Sequence, residues 1–153
     1  MKEKLELILN NATQEINCAT SVQALDDVKL KYLSRKGELN SIKKNLKDLS
    51  DDDKRIVGAF ANNVSNQLEQ LLEEKGKALY KQELNKKLQE EVNEYLEEEN
   101  IEEMVDILEV IRAILDHYNV TYEEIEEKRV KKAKKRGAFK EKIFLEKVIQ
   151  NGD

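Results

Sequence analysis

The chain has no proline and no tryptophan, a single cysteine and only five glycines among 153 residues. Without proline nothing forces a helix to stop, and few glycines leave few loose joints. With Cys18 alone, an internal disulfide and a cysteine zinc cluster are both excluded, and a reducing, cytoplasmic setting is expected. Long hydrophobic runs are missing too. No apolar stretch approaches the ~20 residues of a membrane span, and the opening Met-Lys-Glu-Lys-Leu-Glu lacks the apolar core of a signal peptide. No membrane partner is therefore expected. Charge is abundant, at 39% of residues beside an equal 39% of hydrophobics. Those hydrophobics are periodic, which argues against disorder. The length fits one domain or two small ones.

The periodicity is helical throughout. Leu5, Ile8, Leu9, Ala12 and Ile16 define one face of a helix over about 2–17. Thr20 or Ser21 caps the next helix. Its stripe of Val22, Leu25, Val28, Tyr32, Leu39, Ile42, Leu46 and Leu49 is close to a coiled-coil seam. Gly37 weakens that helix by about 1 kcal/mol without having to break it. At Leu49-Ser50-Asp51-Asp52-Asp53 the chain turns, with Ser50 as cap and three aspartates at the positive helix end. From Ile56 through Phe60, Val64, Leu68, Leu71, Leu72, Leu79, Leu84, Leu88 and Val92 to Leu96, only Gly76 interrupts. A continuous helix over 51–98 would be roughly 70 Å long. That length implies an antiparallel hairpin with its tip near Asp51 and its base near Thr20 and Leu84.

Asn100 interrupts this run. A helix over 101–117 follows, with Met104, Val105, Leu108, Ile111 and Leu115 inward. After a loop at Tyr118-Asn119-Val120, Thr121 and Glu124 form a capping box for a helix to about Lys135. Arg136-Gly137-Ala138 turns the chain, and Ile143, Phe144, Leu145 and Val148 are expected to close on the core. No strand pattern and no repeat is present. The expected fold is all-α, a long antiparallel coiled-coil hairpin over 1–84, then a short helical hairpin and C-terminal helix over 85–150.

Charge is unevenly spread. Residues 1–85 carry 14 basic and 14 acidic side chains, residues 90–127 carry 15 acidic and one basic (Arg112), and residues 128–147 carry ten basic and two acidic. The bland reading of such runs is a solvated face. Spacing adds a sharper one. Glu90 and Glu94 are four residues apart, and Glu91 and Glu94, like Glu103 and Asp106, are three apart, so each pair shares a helix face. Folding back at Asn100 sets Glu94 opposite Asp106 and Glu91 opposite Glu109. Converging carboxylates favour a cation, and hard oxygen donors without histidine or cysteine suit Mg²⁺, with Mn²⁺ as a substitute. The basic residues beyond are placed to neutralise phosphates.

Two families are resembled. LQEEVNEYLEEENIEEMVDILEVI (88–111) and KRVKKAKKRGAFKEKIFL (128–145) resemble the MazG-like, phosphoribosyl-ATP pyrophosphohydrolase-like proteins, with the resemblance spanning 79–148. Their signature Glu-Glu-x-x-Glu then Glu-x-x-Asp is matched by Glu90, Glu91, Glu94, Glu103 and Asp106. The resemblance implies that these five bind Mg²⁺ and that Glu91 and Glu94 serve catalysis. Arg129, Lys132, Arg136 and Lys140 would contact substrate phosphates. The reaction implied is cleavage of a nucleoside triphosphate to a monophosphate and pyrophosphate, in a homo-oligomer. Ala138 departs from the family's usual glycine, and the eight-residue spacer (95–102) resembles the compact branch.

VKLKYLSRKGELNSIKKNLKDLSDDDKR (28–55), Gly58, Asn63 and KQELNKKL (81–88) instead resemble the N-terminal coiled-coil arm of the phenylalanyl-tRNA synthetase α subunit. Ser34 stands where that family usually has glycine. This resemblance, over 1–88, implies an arm that helps hold tRNA, and Lys29, Lys31, Arg35, Lys36, Lys43, Lys44 and Lys47 could follow phosphates. It supplies the alternative to a hydrolase, a non-catalytic tRNA-binding or protein-binding coiled coil. His117 reads as a cation at a helix C-terminus, Cys18 as an idle thiol and Thr121 as a cap.

Overall fold

A computed structural model describes residues 1–141. The expected packing of Ile143, Phe144, Leu145 and Val148 lies outside the described residues. The fold is all-α. Helices α1 (Lys2–Cys18), α2 (Val22–Leu33), α3 (Glu38–Asn45), α4 (Asp51–Glu98), α5 (Glu102–His117) and α6 (Tyr122–Arg136) follow one another, with short 3-10 turns at Leu46–Asp48 and Phe139–Glu141. Among the described residues no helix is long and apolar enough to cross a membrane.

The caps fall where side-chain chemistry puts them. Ser21 Oγ accepts from the Ala24 amide (3.1 Å), Ser50 Oγ from Asp53 (3.3 Å) and Thr121 Oγ1 from Glu124 (3.2 Å). The Glu124 carboxylate returns to the Thr121 amide at 3.0 Å, completing the capping box. α4 ends at Glu98 because Glu99 turns into the left-handed region, φ 49°.

The first three helices and the leading part of α4 share one core. Leu5, Ile8, Ala12 and Ile16 of α1, Leu25, Val28 and Tyr32 of α2, Leu39 of α3, and Val57, Ala61, Val64, Leu68 and Leu79 of α4 are its buried residues. α2 and α3 run back along α4 as the arm of the hairpin, and α1 packs on α4 beside them. Ala12 and Ala61, both fully buried, let helices approach closely. Glu15 ties α1 to α2, its Oε1 accepting from Lys31 Nζ (2.6 Å) and from the buried Tyr32 hydroxyl (2.7 Å). These bonds hold the Glu15 carboxyl below its ordinary pKa, Lys31 contributing most.

Two expectations are corrected. The helix across 22–49 is not continuous, because it breaks between Leu33 and Glu38. Asn40 Nδ2 donates to the carbonyls of Leu33 (3.3 Å) and Ser34 (2.9 Å), satisfying the end of α2. Gly37, buried at the start of α3, closes the turn through its amide to the Ser34 carbonyl at 2.8 Å. A Cβ there would sit 2.7 Å from the Tyr32 backbone, so glycine is required by close approach rather than tolerated in a helix. The second correction concerns the stripes. Ile56, Leu96, Val105 and Leu108 are exposed, as is Val22. On α4 the buried line runs instead through Val57 and Ala61. On α5 Val110 is buried, and Ile107 and Ile114 are half-buried together with the expected Met104, Ile111 and Leu115. A helix turned by one residue exchanges which of two adjacent apolar positions faces the core.

Gly37→Ala is expected to cost about 2 kcal/mol by overpacking against backbone that cannot yield. Urea unfolding followed by circular dichroism measures it.

Candidate functional site

Beyond the shared core, α4 continues alone and α5 folds back along it. The reversal occupies Glu99, Asn100 and Ile101. The Asn100 side chain accepts from the Glu102 amide at 3.1 Å, and the Glu99 amide closes on the Tyr95 carbonyl at 2.7 Å. This tight turn sets the register of the two helices.

Glu91, Glu94 and Glu103 each place a carboxylate oxygen within 4.8 Å of the others. Glu91 is 5% exposed, the one buried charged residue among those described. One of its oxygens accepts from Lys87 Nζ at 2.6 Å. The other, Oε2, is buried with no partner, and so is Oε2 of Glu103. An unpaired buried carboxylate oxygen carries a desolvation penalty that a proton or a cation relieves. Repulsion from Glu91, aided by burial, raises the Glu94 pKa above its ordinary value. Burial first, then Glu98, Asp106 and Glu91, raises that of Glu103.

The five carboxylates expected at a metal centre are therefore only partly assembled. Glu91, Glu94 and Glu103 come together. Glu90 is exposed and pairs with Lys87 at 3.2 Å. Asp106 is exposed and outside the trio, although its charge still reaches Glu103. Glu103, rather than Asp106 and Glu109, meets Glu91 and Glu94, because the turn reverses the chain earlier than a pivot at Asn100 would.

The basic residues expected at substrate phosphates lie elsewhere. Arg129 is held by Glu126 of its own helix in a two-pronged pair at 2.8 and 2.6 Å. Lys132 and Arg136 are exposed on α6, and Lys140 is exposed just beyond it. α6 has no extensive packing on α4 or α5. The cation that does reach the trio is Lys87, whose pKa is raised chiefly by Glu91. Its position four residues before Glu91 was the available signal. His117 is half-buried with its ring between Tyr80 (6.3 Å) and Tyr118 (5.3 Å), a packing role at the far end of the hairpin.

On the N-terminal half, Lys29, Lys31, Arg35, Lys36, Lys44 and Lys47 are exposed and Lys43 half-exposed along α2, α3 and the turns beside them. Lys31 is engaged by Glu15. Arg35 and Lys36 project at the α2–α3 break.

Comparison with known proteins bears on this half. Residues 20–88 match the family described as aminoacyl tRNA synthetase class II, N-terminal domain. The N-terminal half is thus similar to a synthetase arm. The phenylalanine–tRNA ligase alpha subunit of Clostridium tetani is 37% identical over 91 residues, covering 60% of this chain and 27% of that protein. Its counterpart in Geobacter metallireducens is 43% identical over 74 residues, covering 48% and 22%. That of Syntrophotalea carbinolica is 34% identical over 91 residues, again 60% and 27%. The chain spans about a quarter of the length of these curated relatives. No solved structure matches it. Nothing in these matches supports the hydrolase resemblance of the C-terminal half. The span matched by the family begins between α1 and α2 and ends inside α4.

The pH dependence follows from the trio. Glu94 and Glu103 have raised pKa values in the fold, so the folded state takes up protons more readily than the unfolded chain. Stability is expected to rise as pH falls from neutral toward those values, until Glu15, shifted the other way, is protonated and its contribution is lost. Glu103→Gln should raise the melting temperature at pH 7 and flatten this rise. Thermal melts across pH check it, and an unchanged profile in the variant would remove the trio as its source.

Proposed function

We propose that the chain works as a non-catalytic helical module that binds tRNA through the ridge of α2 and α3, in a cytoplasmic setting. The observation that carries this reading is the match over residues 20–88, which spans the exposed lysines and arginine of α2, α3 and the turns beside them. Its relatives are named for a tRNA ligase subunit. The physical means is neutralisation of phosphates along a rod, with release of counterions and no reading of bases. The half as a whole is net neutral, so the attraction has to come from local arrangement. Asp51, Asp52 and Asp53 at the hairpin tip bound the basic ridge at one end.

The test is tRNA binding as a function of salt. Affinity should fall steeply with salt, and Arg35→Glu with Lys36→Glu should weaken it about tenfold and reduce the salt slope by about two. Both residues are exposed, so the fold is expected to survive. No binding near physiological salt, or a flat salt response, would eliminate this function.

A second reading rests on the carboxylate trio. In it the α4–α5 hairpin binds Mg²⁺ or Mn²⁺ and acts as a nucleotide pyrophosphohydrolase. Glu91, Glu94 and Glu103 fit a hard cation through three oxygens at ligand spacing, two of the side chains having buried oxygens without partners. A bound Mg²⁺ would polarise a phosphate and lower the pKa of a coordinated water. Lys87 fixes the Glu91 carboxylate and neutralises part of its charge, while Glu94, exposed at the rim, is the carboxylate open to a substrate in this reading. Phosphate neutralisation would fall to α6, which makes no extensive contact with α4 or α5.

Melting temperature should rise with Mn²⁺ concentration in the native chain and stay constant in Glu94→Gln. Pyrophosphate release from a panel of nucleoside triphosphates with Mg²⁺ tests the activity itself. Release that Glu94→Gln abolishes would support it, and no release from any nucleotide would leave the arm as the function.

A further inference from the structure

Basic charge is densest on α6. Lys128, Arg129, Lys131, Lys132, Lys134, Lys135 and Arg136 fall within nine residues, with no acidic side chain among them. All seven are exposed, and α6 buries none of its residues. Arg129 is paired with Glu126 and Lys131 with Glu127, both within the helix. The other five have no ion-pair partner among the described residues. The start of α6 is anchored, by the capping box at Thr121 and by the Arg112 guanidinium 4.9 Å from the centre of the Tyr122 ring. Beyond that start the helix makes no extensive contact with α4 or α5.

Such an array costs the isolated chain stability. Lys128 with Lys132, Lys131 with Lys135, and Lys132 with Arg136 are like charges four residues apart, a spacing at which they repel. No packing within the described residues offsets this, so the array points to a ligand. Its density selects the class. Seven charges in nine residues, at 1.5 Å of rise each, give roughly one per 2 Å of helix axis. A nucleic-acid duplex carries one negative charge per ~1.7 Å. A single nucleotide presents its phosphates at one point and would leave most of the array unmatched. An extended acidic peptide advances ~3.3–3.6 Å per residue, about half the charge density. A helix lying in a membrane surface needs a broad apolar face, and among residues 128–136 only Val130 and Ala133 are apolar.

We propose that α6 binds the phosphate backbone of a nucleic-acid duplex, through the face formed by Lys128, Lys131, Lys132 and Lys135. These four recur at i, i+3, i+4 and i+7, so they line one side of the helix. The contact neutralises phosphates and reads no bases. It lies beyond the span matched by the synthetase family, apart from the basic residues of α2 and α3, and it uses neither the carboxylate trio nor a metal.

Fluorescence anisotropy of a short blunt RNA duplex, unrelated to tRNA, with the full chain tests it. The duplex should bind, and binding should weaken as salt rises. A DNA duplex of the same sequence should bind within about threefold, because phosphates are the target. Lys132→Gln with Lys135→Gln should weaken binding at least tenfold and lower the salt slope by about two. Lys132→Arg with Lys135→Arg should restore it, and neither variant should move the melting temperature, since α6 buries nothing. Arg35→Glu with Lys36→Glu should leave duplex binding unchanged, which separates this contact from the tRNA reading. Anionic lipid vesicles and polyglutamate, at equal charge, should compete about tenfold less well than unlabelled duplex. No duplex binding, full binding by the glutamine variant, a preference between RNA and DNA above tenfold, or equal competition by vesicles or polyglutamate would overturn the proposal.

Discussion

Everything in the N-terminal half depends on α1 seated against α4. The apolar face of α1 supplies Leu5, Ile8, Ala12 and Ile16 to a core whose other wall is Val57, Ala61, Val64 and Leu68. Each fully buried aliphatic side chain contributes on the order of 1.5–3 kcal/mol. Without α1, the hairpin of α2, α3 and α4 would expose that wall to water. The Glu15 contact with Lys31 and Tyr32 adds direction, fixing how α1 meets α2. A long helix gains little from propensity alone and takes its stability from such packing.

The C-terminal half obeys a different constraint. There one strongly acidic hairpin has to bring carboxylates together in order to bury its apolar seam. Glu103 occupies a core-side position on α5 and Glu91 one on α4, so packing the helices drives their charges inward. Lys87 relieves one oxygen of Glu91, and two buried oxygens are left unsatisfied. A buried carboxylate oxygen without a partner carries a desolvation penalty. The basic α6 makes no extensive contact with α4 or α5.

Much of the architecture was legible in the residues. Ser50 before three aspartates, Thr121 three residues ahead of Glu124, and the proline-free run from Asp51 to Glu98 carry their caps and period openly, because capping and helix period are local. The break at Ser34–Gly37 was not legible, since the need for glycine there arises from the Tyr32 backbone across the turn. The choice between Val105 or Leu108 and Val110 as the inward residue was hidden for the same kind of reason. α5 has apolar residues on two sides, and only contact with α4 selects one. Within the site, the acidic spacing marked Glu91, Glu94 and Glu103, while the pairing of Glu94 with Asp106 assumed a pivot that the turn at Glu99 does not adopt.

By itself the sequence determined helix content, caps, the segregation of acidic from basic blocks and the likeness of its first half to a synthetase arm, because each is a property of neighbouring residues. Tertiary structure decided which apolar face is covered, where the coiled-coil line breaks, which three carboxylates meet and that the basic helix stays away from them. Those depend on the register between helices, and register is set by turn geometry and side-chain volume at contacts far apart in the chain.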